Sequence, residues 1–321
     1  MSGFLKSFTF LFIVLFPLDV AAKSWSEAIA DVEQRADALW EHGRSLGAPT
    51  FLGTAMNEVG APEHTCGILG RMLGLSDQIK HLEENPEPEL SKPPTEDQLF
   101  ELMAFAQSLN NWAHIAESMR RESDDSKKKI WNLECVGRLG IAANAGLIVK
   151  ETSAEFRVEG ADLLVLGNIE ANFSDRLEAV LQQNPQIERL VLGSGGGSVV
   201  EALKAGLVVR KRGLSTTLRS NCFSACPLVF LGGQKRTIWS PYPVLGFHRM
   251  SDGSGRAIHP SHPLYEVIFT YVESMGADPN FFLASMLRAD PIEMYEPDHA
   301  DLCRYFVATW VQRLCFGGEN Q

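Results

Sequence analysis

The chain has 321 residues, of which 45% are hydrophobic and 21% are charged. This composition is typical of a globular protein, and the length suffices for one large domain and a smaller one. The formal net charge of -11 favours solubility and argues against nucleic acid or an anionic membrane surface as the partner.

The first residues are typical of an export signal. Lys6 gives a positive start, residues 8–16 are almost wholly apolar, and Val20-Ala21-Ala22 provides small residues before a cleavage site. We therefore predict that residues 1–22 are a signal peptide and that the mature protein is periplasmic or secreted, with no stable membrane span. The alternative is a membrane anchor through residues 8–17, although a span needs ~20 residues.

Residues 23–140 are predicted to form a mainly helical N-terminal region. Apolar side chains from Trp25 to Trp40 recur at helical spacing, a second helical stretch covers residues 66–82, and Thr95 opens a third helix. The proline- and glutamate-rich segment 83–94 predicts an exposed linker. No motif in this region indicates a reaction, so the sequence assigns it no role.

Residues 141–321 are predicted to form an α/β domain. Three β-rich segments alternate with two helical ones, and this spacing implies βαβ units in a mostly parallel sheet. The predicted strands are 163–166, 189–192 and 214–218, and the predicted helices are 199–212 and 174–183, the latter with Ser174 as N-cap.

A glycine-rich turn, residues 193–198, follows the second predicted strand. Such a turn lets main-chain N–H groups point at a bound group. Its last residue is Ser198, where a dinucleotide-binding fingerprint has glycine, and no Gly-Lys-Ser/Thr follows as in a phosphate loop. We therefore expect no nucleotide cofactor here, and a tight turn without a ligand is the alternative.

Ser224 lies among small residues at the expected start of the next helix. The N–H of Ala225, together with one from Gly196 or Gly197, would form a two-donor oxyanion hole beside its hydroxyl. His248 ends a strand-like run further along the chain, and an imidazole ionises near neutral pH. We predict that Ser224 is a nucleophile and that His248 is its base.

These segments resemble the proteolytic subunit of the Clp protease and its exported relatives. The resemblance is carried by residues 195–199, Ser224-Ala225 and Gly246-Phe247-His248, and by the motif Cys222-x-Ser-Ala-Cys226. It implies a crotonase-like fold of repeated ββα turns, a Ser-His-Asp triad that cleaves peptide bonds through an acyl-enzyme, and assembly into a homo-oligomer. The family has a proline where this chain has Gly195.

The third member of the triad is the least defined. By position in the resemblance it falls on Glu293, and glutamate can orient a histidine as aspartate does. Asp290, Glu296 and Asp298 are alternatives, as is a plain surface role for Glu293.

Six cysteines are present, and an oxidising compartment permits disulfides. Cys66 with Cys135, and Cys303 with Cys315, are candidate pairs. Cys222 and Cys226 are four residues apart, and on one helix their Cβ atoms would be too far apart for a disulfide. No second ligand pair accompanies them, so we expect no metal site.

The sequence therefore predicts an ATP-independent serine endopeptidase acting on exported polypeptides, without a cofactor. One alternative is a non-catalytic binding or assembly protein on the same fold. Another is a crotonase-type acyl-thioester enzyme, which is disfavoured because no basic cluster accompanies the glycine turn.

Overall fold

A computed structural model describes residues 24–48, 61–82, 86–150, 153–239, 243–252, 254–312 and 314–315. The predicted signal peptide, cleavage site and alternative anchor lie outside the described residues. The chain divides into two compact units, residues 1–147 and residues 148–321, whereas the sequence suggested a boundary between residues 140 and 141. Within the described ranges, none of the helices combines the length and the apolar character that a bilayer crossing requires.

The described part of the first unit is helical. Its helices are α1 (Trp25–Ser45), α2 (Ala61–Met72), α3 (Glu96–Arg121) and α4 (Asp124–Glu134). Helix α1 packs mainly on α3, and α2 contacts both α3 and α4. Capping boxes start α1 at Ser24 and α3 at Thr95, where Glu27 and Gln98 complete the reciprocal hydrogen bonds.

The second helix was predicted over residues 66–82. The structure has α2 there, which starts earlier, at Ala61, and ends earlier, at Met72. Helix α2 ends at Met72, because Gly74 takes a φ of 73° and turns the chain out of the helix. A short 3-10 turn, Ser76–Gln78, follows. A disulfide joins Cys66 in α2 to Cys135, the residue after α4.

The second unit is a mixed α/β fold built on one sheet, as the sequence predicted at the level of fold class. Its described strands are β1 (Glu155–Glu159), β2 (Asp162–Leu166), β3 (Arg189–Ser194), β4 (Ser215–Phe223), β5 (Arg236–Ile238), β6 (Leu245–Gly246) and β7 (Trp310–Val311). Their order in the sheet is β1-β2-β3-β4-β5-β7, and β6 pairs with β4 as well. Strand β1 is antiparallel to β2, and all other pairs among these strands are parallel.

Helices connect and cover these strands. They are α5 (Phe173–Gln183), α6 (Val199–Lys211), α7 (Cys226–Leu231), α8 (Pro263–Ser274), α9 (Pro279–Leu287) and α10 (His299–Arg304). The prediction that Ser174 caps α5 is wrong. The N-cap is Asn172, which has a φ of 64° and no side-chain cap bond, while the Ser174 hydroxyl donates to Glu201 in α6 over 2.7 Å.

Strand β4 determines where the predicted site residues lie, because it leads into the turn that contains Ser224 and pairs with the strand before the glycine-rich turn. Its first half pairs with β5 through Thr216 and Thr217, and its last two residues pair with β6. The register with β3 shifts near the carboxyl end, where Ser194 lies opposite Cys222. In sheets of this kind, the carboxyl ends of parallel strands are the usual place for a binding crevice.

Candidate active site

Ser224 occupies a tight turn between a strand and a helix. Strand β4 ends at Phe223 and α7 begins at Cys226, so the turn between them consists of Ser224 and Ala225. Ser224 takes a φ of 59°, and its N–H donates to the Gly246 carbonyl over 2.9 Å. A non-glycine residue in this left-handed region costs about 1–2 kcal/mol, and such residues cluster at functional sites.

The glycine-rich turn after β3 lies directly against this serine. Gly196 has a φ of 100°, and a Cβ atom added to it would lie 2.5 Å from the Cβ of Ser224 and 3.0 Å from the nitrogen of Ala225. Only glycine therefore allows the two turns to approach this closely. Two segments that are distant in sequence meet here because β3 and β4 are parallel neighbours.

The main-chain N–H groups of this region differ in what they bind. Gly196 donates to the hydroxyl of its neighbour Ser194 over 3.1 Å, so its N–H is already used. The groups on either side of Gly197 pair with Ile169, through Ile169 N–H to Gly196 O at 2.8 Å and Ser198 N–H to Ile169 O at 2.7 Å. In such a ladder the N–H and C=O of Gly197 point away from Ile169.

Gly197 and Ala225 are consequently the two candidate oxyanion donors. Among the residues that the structure describes, no acceptor is bonded to the N–H of either one. Gly196, the third residue predicted for this role, instead supports the turn through its contact with Ser224.

Ser224, Ala225, Gly197 and His248 all line one cavity of about 240 Å³. Most of its remaining wall is apolar and comes from residues that the sequence analysis did not select. Such positions carry no sequence signal, because an apolar residue facing a cavity has the same pattern as one facing the core. They include Val199, Leu228, Met250, Ile258, Leu264 and Met286.

His248 enters the cavity just after β6. The preceding residue, Phe247, exchanges two main-chain hydrogen bonds of 2.8 Å with Tyr295, which fixes this segment. Burial lowers the pKa of His248 below its ordinary value of 6.5, and the nearby main chain of Arg249 partly opposes this shift. The imidazole is therefore neutral at neutral pH, as a base that accepts a proton must be.

Ser224 and His248 share the cavity without a direct hydrogen bond. Within the described residues, the Nδ1 atom of His248 is buried and has no hydrogen-bond partner. Catalytic hydrogen bonds are often long before substrate binds and tighten in the complex. The structure thus brings the proposed nucleophile and base together, and their roles stay predictions.

The carboxylates considered for the third position lie elsewhere in this structure. Glu293 is exposed and does not line the cavity, and its N–H donates to the Asp290 carbonyl over 2.8 Å. The Asp290 side chain forms an ion pair of 3.2 Å with Arg249. Asp298 caps α10 through the N–H of Ala300. Glu296 does not line the cavity either. Among the described residues no carboxylate is bonded to the Nδ1 atom of His248, and the role of Glu293 stays a prediction.

Cys222 and Cys226 form a disulfide, which they could not do on one helix. They do not share a helix: Cys222 belongs to β4 and Cys226 starts α7. The left-handed turn at Ser224 folds the chain back and brings their Cα atoms to 5.2 Å. Cys303 and Cys315 also form a disulfide.

No cluster of His, Cys, Asp and Glu side chains that could hold a metal ion occurs in the part of the chain that the structure describes.

No family model matches the chain, and no curated protein matches it. The ClpP protease catalytic domain from Plasmodium falciparum is 16% identical over 50% of this chain and 84% of its own, with a TM-score of 0.34. A mutant of ClpP1 from Listeria monocytogenes is 13% identical over 47% of this chain and 91% of its own, with a TM-score of 0.32.

Proposed function

We propose that residues 148–321 form an ATP-independent serine hydrolase that cleaves polypeptides through an acyl-enzyme. One observation carries this proposal. Ser224 is held in a left-handed turn at the wall of a cavity that also contains an imidazole and two main-chain N–H groups without acceptors among the described residues. A nucleophile, a base and an oxyanion hole are the parts that acyl transfer requires.

The reaction follows from these positions. His248 accepts the proton of Ser224 as the serine Oγ attacks the substrate carbonyl. The N–H groups of Gly197 and Ala225 donate to the oxyanion that forms. His248 then gives the proton to the leaving amine, and water attacks the acyl-enzyme with His248 again as base.

A polypeptide fits this site better than an isolated ester because of the exposed main chain at Gly197. Its N–H is the proposed oxyanion donor, and its C=O, which also faces away from Ile169, is left to accept an N–H of the substrate main chain. An extended peptide can add to such an edge. The apolar wall formed by Leu228, Met250 and Met286 favours an apolar substrate side chain next to the scissile bond.

A fluorophosphonate probe tests the proposal, because it reacts covalently with an activated serine. We expect the wild-type protein to be labelled and the Ser224→Ala variant to show no labelling. Ser251→Ala is the matched control, since Ser251 lines the same cavity but does not lie at the end of a strand. Labelling that persists in Ser224→Ala, or is absent from folded wild-type protein, would contradict the proposal.

Fluorogenic peptides with either an apolar or an acidic residue before the scissile bond test the substrate class. We expect hydrolysis of the apolar peptide, and loss of that hydrolysis in Ser224→Ala.

A binding or assembly protein on the same unit is the second candidate. It is favoured by the Nδ1 atom of His248, which has no hydrogen-bond partner among the described residues, so no carboxylate orients the ring there. In that case a peptide would bind wild type and Ser224→Ala equally, and neither protein would release product.

Export and self-assembly are also part of the proposal. The paired state of all six cysteines supports an oxidising compartment, because structural disulfides are rare in the cytosol. We expect N-terminal sequencing of the exported protein to begin after Ala22, and light scattering of the purified protein to give a mass above that of one chain.

A further inference from the structure

A disulfide closes the turn that carries Ser224. Cys222 is the second-last residue of β4, Cys226 is the first residue of α7, and both are fully buried. The bond therefore encloses only Phe223, Ser224 and Ala225. Two of these three residues are the proposed nucleophile and one of the proposed oxyanion donors.

The two sides of this turn are anchored differently. On the strand side, Cys222 N–H donates to Val244 O over 3.0 Å, and Ser224 N–H donates to Gly246 O over 2.9 Å. On the helix side, Ala225 is the N-cap of α7 without a side-chain cap bond. Helix α7 has only six residues, and such a short helix has little stability of its own. The side-chain hydrogen bonds to α7 reach its later residues, where Thr216 Oγ1 donates to Phe230 O over 2.8 Å and Tyr271 OH donates to Leu228 O over 2.7 Å. The disulfide, in contrast, joins the first residue of the helix directly to the end of β4.

The other two disulfides close longer loops of the chain. Cys66 and Cys135 are separated by 69 residues, and Cys303 and Cys315 by 12, whereas Cys222 and Cys226 are separated by 4. A disulfide restricts the unfolded chain less as its loop becomes shorter. The effect of the Cys222–Cys226 bond is therefore expected mainly in the geometry of the turn.

We infer that the Cys222–Cys226 disulfide is a positioning element of the active site. It holds the Ser224 hydroxyl and the Ala225 N–H in the arrangement needed for attack, and the hydrolase reaches its full rate only with this bond closed. The inference rests on the proposed function. Opening the bond takes two electrons and two protons from a dithiol, which itself becomes a disulfide, and leaves two thiols on the chain.

The test compares the full-length double variant Cys222→Ala/Cys226→Ala with wild type. Cys303→Ala/Cys315→Ala is the matched control, because it removes a disulfide from the same unit away from Ser224. For the fluorophosphonate we measure the maximal labelling rate and the concentration of half-maximal rate separately. Hydrogen exchange of the peptide covering residues 223–231 is measured in parallel.

We expect the maximal labelling rate of Cys222→Ala/Cys226→Ala to fall on the order of tenfold to a hundredfold, because small displacements of reacting groups have effects of this size. The half-maximal concentration should stay unchanged, and the turn should exchange faster. The Cys303→Ala/Cys315→Ala control should keep both the wild-type rate and the wild-type exchange.

Three results separate the inference from the proposed function. Unchanged exchange and labelling in the Cys222→Ala/Cys226→Ala variant would overturn the positioning role, as would an equal loss of rate and binding. Wild-type protein that is never labelled rejects the proposed function, and the exchange of the turn still decides whether the disulfide holds it.

If the double variant does not fold, wild type opened with dithiothreitol replaces it. Its labelling rate should fall in proportion to the opened Cys222–Cys226 fraction, read by alkylation and mass spectrometry, and should recover on reoxidation. A rate independent of that fraction would overturn the inference.

Discussion

Replacing Gly196 with alanine should damage both the stability of the second unit and the reactivity of Ser224. The new methyl group would lie 2.5 Å from the Cβ of Ser224 and 2.8 Å from the Phe223 carbonyl oxygen. Carbon atoms pack at roughly 3.5–4.0 Å, so the two turns would have to separate by about 1 Å.

Two costs add in this variant. Alanine at a φ of 100° is strained by about 1–2 kcal/mol, and forcing a methyl group into a packed site costs about 1–3 kcal/mol. We therefore expect Gly196→Ala to lose about 2–5 kcal/mol of unfolding free energy. A displacement of about 1 Å should also slow labelling of Ser224 by roughly a hundredfold.

Gly276→Ala is the matched control. Gly276 has a φ of 74°, and a Cβ added there meets nothing within 4 Å, so this variant has the backbone strain without the contact. Urea denaturation gives the two free energies, and fluorophosphonate labelling gives the two rates. If Gly196→Ala matches Gly276→Ala in both the unfolding free energy and the labelling rate, the two turns do not approach each other as closely as the structure shows.

Two further predictions concern histidines. The labelling rate of wild type should rise with pH through a midpoint below 6.5 and then stay level, because burial lowers the pKa of His248 and the base must be neutral; a midpoint above about pH 7 would contradict this. In the first unit, His64 is buried, bonds Ser108 through Nε2 over 2.9 Å, and has its pKa lowered to about 4, mainly by burial. In the unfolded chain His64 binds a proton near pH 6.5, whereas in the folded protein it does so only near pH 4. The contribution of neutral His64 to the free energy of unfolding should therefore be fully present above pH 6.5 and should decrease by about 3 kcal/mol as the pH falls to 4. Urea denaturation at several pH values measures this decrease, and His64→Gln should flatten it; an equal decrease in that variant would exclude His64 as the cause.

Most of the secondary structure near the site could be predicted from local sequence patterns. The predicted strands 163–166 and 189–192 lie within β2 and β3, because short apolar runs bounded by turn residues identify buried strands. The predicted helix 199–212 differs from α6 by one residue at its end. Strand β4 continues to Phe223, past the predicted end at residue 218, because its last residues pair with β6.

The local sequence pattern predicted the wrong interaction where a residue distant in the chain determines the local structure. Ser174 looked like an N-cap because serine often is one, but its hydroxyl binds Glu201, which is 27 residues away. A disulfide between Cys222 and Cys226 was excluded only for the case in which both residues lie on one helix, and in the structure they do not. Their pairing depends on the φ of Ser224, which sequence spacing does not reveal.

By itself, the sequence determined which side chains can act and the order in which they occur. The residue types at Ser224, at His248 and in the glycine turn can be read directly from the sequence. The mixed α/β class follows from the spacing of the apolar residues. Only the tertiary structure decided which groups share a site: it placed Gly197, Ala225 and His248 on the wall of one cavity, directed the Gly196 N–H to Ser194, and left Glu293 exposed. The physical reason is that hydrogen-bond partners and close contacts depend on strand register, and register is set by pairing between segments far apart in the chain.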